Sequence, residues 1–149
     1  MLFLLLSITN KRYALSAEHI IEVIPNILEA NTTSPKTPEY FAGRINYYGS
    51  LLPVADICQM HAGIPCVNKI STRIILIRHR NSDGQETTIG LLAEKVTETV
   101  KVGKKEKNIT HADSGKSFLQ VGIDGKSSKI EIFDLSVMLP SNFEVFCKK

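Results

Sequence analysis

The stretch Tyr40-Phe41-Ala42-Gly43-Arg44-Ile45-Asn46-Tyr47-Tyr48-Gly49-Ser50-Leu51-Leu52-Pro53-Val54-Ala55-Asp56 sets two apolar runs on either side of Tyr48-Gly49-Ser50. Glycine takes positive φ without a Cβ penalty, so Gly49 suits a tight turn and residues 40–47 and 51–57 read as a β-hairpin. Gly43, inside the first strand, invites a bulge or the close approach of another backbone. Pro53 lacks the N–H that a ladder needs and belongs at an edge or a bulged position. Such a hairpin can offer an apolar edge to a partner, or it can be an ordinary element of a sheet; composition does not separate the two.

Towards the N-terminus, residues 2–8 and 12–15 are apolar runs around Asn10-Lys11, which predicts an opening hairpin. Ser16 suits a helix N-cap, and Ile20, Ile21 and Ile24 fall on one helical face, so a short helix is expected over residues 17–24, stopped by Pro25. The Thr-, Ser- and Pro-rich residues 31–38 read as a loop. Towards the C-terminus, Gly63 and Pro65 punctuate another loop. Ile74-Ile75-Leu76-Ile77, within residues 73–80, has the continuous apolar pattern of a central strand covered on both faces. Asn81-Ser82-Asp83-Gly84 is turn chemistry leading into strands over residues 86–93 and 96–102. Asp124-Gly125 joins residues 118–123 to 130–133 as a further hairpin, and residues 135–139 suit a helical turn ended by Pro140. Eight to ten short strands with only brief helices describe a mainly β sandwich or barrel.

The 149 residues suffice for one well-filled core, or for two small barrels sharing an interface, so residues 1–149 are expected to form one folding unit. An apolar fraction of 43% and a charged fraction of 22% are those of an ordinary globular domain. With a formal charge of +3 and lysines spread along the chain, no strong field favours nucleic acid or an anionic membrane. The opening Met1-Leu2-Phe3-Leu4-Leu5-Leu6 lacks a basic flank and is cut short by Asn10, Lys11 and Arg12, so it reads as a buried strand and not as a signal peptide. No segment approaches the roughly 20 apolar residues of a membrane-spanning helix. Cys58, Cys66 and Cys147 are too few, and odd in number, for a disulfide framework; a reducing compartment, the cytoplasm, is expected.

Chemistry is harder to find. Cys58, His61 and Cys66 lie close in sequence, but a zinc site usually takes four ligands in two pairs, and no second cluster completes them; a buried cysteine beside a surface histidine is the simpler reading, and no metal or cofactor is expected. Gly115-Lys116-Ser117 and Gly125-Lys126-Ser127 look like the end of a phosphate-binding loop, yet Thr110 and Gln120 stand where its leading glycine is needed, and neither runs from strand to helix. His19, His61, His79 and His111 accompany no nucleophile elbow, and catalysis is not expected. Lys101 to Lys107 is the alternative functional segment, a contact of a small nucleic-acid-binding barrel. Glu106 dilutes it, however, and no aromatic is interleaved to stack on bases, which favours a solvated loop.

The hairpin block resembles the CheW-like family, whose members carry a G-x-x-N-x-R-G turn followed by a P-V-x-D-L strand. Here these read Gly43-Arg44-Ile45-Asn46-Tyr47-Tyr48-Gly49 and Pro53-Val54-Ala55-Asp56-Ile57. Arg12-Tyr13-Ala14-Leu15 and Ile20-Ile21-Glu22-Val23 look like the family's opening strand and helix, Gly90-Leu91-Leu92-Ala93-Glu94-Lys95-Val96 like its G-L-x-V-D-x-V segment, and residues 118–139 like its closing hairpin and helical turn. The resemblance implies two intertwined five-stranded SH3-like β-barrels around a shared apolar core, with a few short helices. It also implies an adaptor without catalysis that binds the regulatory domain of a CheA-type histidine kinase and the cytoplasmic tip of a chemoreceptor. By motif position, Ile20, Glu22, Gly43 and Tyr48 would face the receptor, and Asn46, Gly49, Val54 and Asp56 complete the partner-binding set. Two departures stand out: Tyr48 replaces the family's turn arginine, and Cys58 replaces an arginine common after the P-V-x-D-L strand. Tyrosine cannot supply a charged multidentate donor, so any salt bridge there is lost, and a specialised pathway such as surface motility or second-messenger control stays open beside flagellar chemotaxis.

Overall fold

The computed structural model describes residues 2–28, 39–67, 69–80, 84–101, 109–111, 116–123 and 126–133. The described strands are β1 (Leu2–Ile8), β2 (Lys11–Ser16), β3 (Ile20–Pro25), β4 (Phe41–Tyr47), β5 (Ser50–Asp56), β6 (Arg73–Arg80), β7 (Glu86–Ala93), β8 (Lys95–Lys101), β9 (Ile109–His111), β10 (Ser117–Ile123) and β11 (Lys126–Ile132). Among the described residues, one short helix, α1 (Ile57–Ala62), and one 3₁₀ turn, Ala17–His19, interrupt them. The architecture is mainly β, as expected.

The strands form two sheets, a six-stranded one in the order β8-β1-β2-β11-β10-β9 and a five-stranded one in the order β3-β6-β7-β5-β4. The chain starts the first sheet with β1 and β2, builds the whole of the second from β3 to β7, and returns to finish the first. β11 closes that return by pairing parallel to β2, Glu131 opposite Tyr13 and Ile132 opposite Ala14. The five strands expected per barrel are met in one sheet; the other carries a sixth, the three-residue β9.

One core joins the sheets. Leu4, Leu6, Ile8, Tyr13 and Leu15 of the first pack with Phe41, Ala55, Ile75, Ile77, Ile89 and Leu91 of the second. β6 runs over the residues expected, and Ile74, Ile75, Leu76 and Ile77 are all buried, so both of its faces are covered. Ile75 and Ile77 point into the shared core, whereas Ile74 and Leu76 line the opposite face with Ile24, Ile45, Val54 and Leu92. Fully burying each such side chain contributes about 1.5–3 kcal/mol.

Two local expectations are corrected. Residues 20–25 form a strand, not the second half of a helix; only Ala17–His19 turns, with the Ser16 hydroxyl accepting the Glu18 N–H at 3.4 Å. Ile20, Ile21, Val23 and Ile24 are β-branched and pack well on a pleated surface, and pairing with β6 decides the matter. The segment after β5, a loop by its Gly63 and Pro65, opens with α1, capped by Asp56 and ended by Gly63 at φ 73°. Neither Gly-Lys-Ser triplet leads into a helix: Ser117 begins β10, and Lys126 and Ser127 begin β11. The loop expected over residues 31–38, turn residues 81–83, 124 and 125, and the helical turn at 135–139 lie outside the described residues.

Candidate functional site

The hairpin β4-β5 closes as a two-residue turn, Tyr47 paired with Ser50, with Tyr48 at φ 49° and Gly49 at φ 85°. Positive φ at both central positions matches the right-handed twist of the strands. An added Cβ at Gly49 would meet nothing within 4 Å, so glycine is required there for its backbone angle and not for space. The Asn46 Oδ1 accepts the Gly49 N–H at 3.0 Å and ties the turn to its own strand. Tyr48 takes up a left-handed conformation that costs a non-glycine residue about 1–2 kcal/mol. It nonetheless leaves its side chain 88% exposed, with only an edge-on contact to the Tyr47 ring at 4.6 Å between centroids.

β3 and β4 are the two edges of the five-stranded sheet, yet the Tyr47 hydroxyl donates to Glu22 Oε2 at 2.5 Å. The sheet therefore curls until its edges meet at this clasp. The bond to Glu22 is also the main reason why the Tyr47 phenol is pushed up to about 12. Beside the clasp, Ile21 and Val23 of β3, Tyr48 of the turn and Leu51 of β5 are exposed hydrophobic side chains. A register shift between Ile20 and Glu22 turns Ile21 outward, and another between Phe41 and Gly43, the latter at φ 140°, bends β4 where a bulge was expected. Pro53 sits opposite Arg44, one residue before β5 begins to pair with β7 at Val54, so its missing N–H falls outside that ladder.

The candidate partner-binding residues thus divide. Glu22, Asn46, Tyr48 and Gly49 are exposed on or beside the clasp, and Ile20 is half-buried against the shared core. Gly43 is buried within its bulge, and Val54 is fully buried against Gly90. Asp56 is 6% exposed and caps α1: its Oδ1 accepts the Gln59 N–H at 3.1 Å and its Oδ2 the Cys66 N–H at 2.9 Å. Gly43 and Val54 thus lie in the body of the hairpin, and Asp56 at the end of β5 away from the turn. Ile21, Val23, Tyr47 and Leu51 are not among the residues expected from sequence: a helix over residues 17–24 hides the strand that exposes Ile21 and Val23, and nothing in the hairpin pattern marks Tyr47 or Leu51.

Cys58, His61 and Cys66 do not come together as a set. His61 turns to Tyr13, its Nε2 2.7 Å from the Tyr13 hydroxyl, and packs on Phe133. The two cysteines meet Asp56 instead, with Cys58 fully buried and donating its thiol to Glu94 Oε1 at 3.4 Å. The Cys66 thiol, which donates to the Leu92 carbonyl at 3.3 Å, is pushed well above its ordinary pKa by hydrogen bonding with Cys58, by burial and by the Asp56 carboxylate. Lys116 and Lys11 reach Glu131 at 3.6 and 3.9 Å, so Lys116 serves an ion pair. Of the Lys101 to Lys107 segment only Lys101 is among the described residues, at the end of β8. Among the described residues no helix is long and apolar enough to cross a membrane.

Residues 2–142 match the family model of the CheW-like domain. The chain belongs to the CheW-like family. CheW-like proteins are non-catalytic scaffolding adaptors, and the absence of catalysis expected from sequence agrees with that. Among solved structures, the scaffolding protein TtCheW from Thermoanaerobacter tengcongensis superposes with a TM-score of 0.73 at 22% identity, over 95% of this chain and 89% of that one. The CheW-like fold thus accounts for both sheets and their interleaved order. No curated protein gives a significant match.

Proposed function

We propose that this CheW-like chain is a single adaptor unit that works in the cytoplasm, coupling the tip of a chemoreceptor to the regulatory domain of a CheA-type histidine kinase. The observation that carries the reading, beside the family, is the Glu22–Tyr47 clasp with its rim of exposed Ile21, Val23, Tyr48 and Leu51. A strained, outward-pointing aromatic next to exposed aliphatic side chains is the kind of anchor that protein interfaces use. Ile20, Glu22, Asn46, Tyr48 and Gly49 form the contact surface, while Gly43, Val54 and Asp56 hold its shape. The adaptor acts by differential affinity: binding that prefers one kinase conformation moves the kinase equilibrium by that preference and no more.

Calorimetric titration against a CheA-type regulatory domain and against a receptor-tip fragment tests this. Saturable binding to both is expected, with Glu22→Lys and Gly43→Glu weakening the receptor interaction at least tenfold, about 1.4 kcal/mol. Tyr48→Arg restores the family's charged donor and tightens binding to a partner that carries the matching acid. Absence of binding to either partner overturns the coupling role; unchanged receptor binding in both variants overturns the residue assignment.

A further inference from the structure

We propose that Asp56, Cys58, Cys66 and Glu94 form a binding site for a thiophilic divalent cation, zinc in the first place. The ligand atoms of Asp56, Cys58 and Cys66 all lie within 4.8 Å of one another. Tetrahedral zinc, with bonds of about 2.3 Å to sulfur and about 2.0–2.2 Å to oxygen, sets its ligand atoms roughly 3.3–3.8 Å apart. Closing the three on one ion therefore asks the ligand atoms to draw together by about an ångström. Glu94 Oε1 lies 3.4 Å from the Cys58 sulfur but outside that group of three, and its side chain swings in to become the fourth donor. The count that failed in sequence relied on His61, which the fold commits to Tyr13, and left out the two carboxylates, which the fold brings in.

The site is held from several directions. Asp56 ends β5, Cys58 lies in the first turn of α1, Cys66 follows the helix, and Glu94 joins β7 to β8. The Gln59 and Cys66 N–H groups orient the Asp56 carboxylate, and each of its oxygens keeps a free lone pair for a metal. Two sulfurs with two carboxylate oxygens suit zinc better than magnesium or calcium, which take oxygen alone. Cys58 and Asp56 are buried, whereas Cys66 and Glu94 are partly exposed, so an ion reaches the cluster from their side. On binding, each thiol gives up its proton, the hydrogen bonds of Cys58 to Glu94 and of Cys66 to Leu92 break, and two metal–sulfur bonds form with two protons released to solvent. With Glu94 swung in, protein groups fill all four positions, which makes the site structural and pins α1 and the segment after it to the β7-β8 junction.

The experiment uses the full-length protein kept reduced with a phosphine and titrated with cobalt(II) as the spectroscopic stand-in for zinc. One equivalent is expected to raise an intense thiolate-to-cobalt band in the near ultraviolet, together with the strong visible bands of tetrahedral cobalt, both abolished by an equivalent of zinc. Cys66→Ser, at the half-buried position and least disruptive to folding, loses most of the thiolate band, Glu94→Gln shifts the visible bands, and Cys147→Ser changes neither. Zinc raises the thermal midpoint of the wild type and of Cys147→Ser but not of Cys66→Ser. No thiolate band at one equivalent, or a band undiminished in Cys66→Ser, overturns the proposal. Since no partner protein takes part, the result stands apart from the adaptor role.

Discussion

Gly90 lies in β7 between β5 and β6, and its replacement by alanine sets two effects of opposite sign against each other. An ideal Cβ there would stand 2.9 Å from Ile74 Cγ2 and 3.0 Å from Val54 Cγ2. Both neighbours are fully buried and β-branched, and the offended atoms are methyls on Cβ itself, which have no remote torsion by which to swing away. Forcing an extra carbon into a filled core costs about 1–3 kcal/mol. Removing glycine's freedom from the unfolded chain returns about 0.4–1 kcal/mol. The net expectation is a loss of up to about 2.6 kcal/mol, which for a chain of 149 residues lowers the melting temperature by up to about 10 °C. Urea unfolding followed by far-ultraviolet circular dichroism reads it as a lower midpoint with an unchanged slope. The deciding arm repeats Gly90→Ala in a Val54→Ala background, where one offended methyl is gone. The second substitution should then cost markedly less, a coupling that a double-mutant cycle measures directly. Equal costs in the two backgrounds, or a gain in stability for the single variant, would refute the steric argument.

The clasp should be visible in its titration. Tyr47 holds its proton to about 12 against an ordinary value of 10.0, so its contribution is complete below the ordinary value and is lost as pH rises through about 12. Phenolate absorbance should show a late component that Tyr47→Phe removes and Glu22→Gln moves towards the ordinary value; a late component surviving in both variants would place the effect elsewhere. Because the shared core draws on both sheets, unfolding should be one cooperative transition, with circular dichroism and tyrosine fluorescence coinciding. Two separated transitions would show that the sheets unfold as independent units.

How much of this was legible in the sequence depended on whether a segment's pattern had one physical reading. β6 and β7 were read with their observed bounds, since an unbroken Ile-Ile-Leu-Ile run flanked by charges and turn residues suits a doubly covered strand and little else. The β4-β5 hairpin followed from Gly49, and the bulge followed from Gly43. β3 was misread because its register shift after Ile20 breaks the two-residue alternation, leaving Ile20, Ile21 and Ile24 at spacings that also fit a helix. α1 carried a signal, Asp56 before it and Gly63 after it, but six residues are too few for a helical period to show. The clasp and the cysteine cluster were out of reach: Glu22 with Tyr47, and Cys58 with Glu94, are neighbours only because the sheet curls and the chain returns.

That return also shapes how the molecule is made. β1 and β2 have complementary faces, but β1 needs β8 along its other edge and β2 needs β11, and both lie beyond the complete five-stranded sheet. At about 5–20 residues per second, a ribosome takes on the order of several seconds to go from Ser16 to Lys95. Through that interval the Phe3-Leu4-Leu5-Leu6 edge stands without its second neighbour while the later-made sheet can already close on itself. The nascent chain is thus most exposed to wrong strand pairing at β1, made well before its second neighbour, and a chaperone that meets it early has that leucine edge to shield.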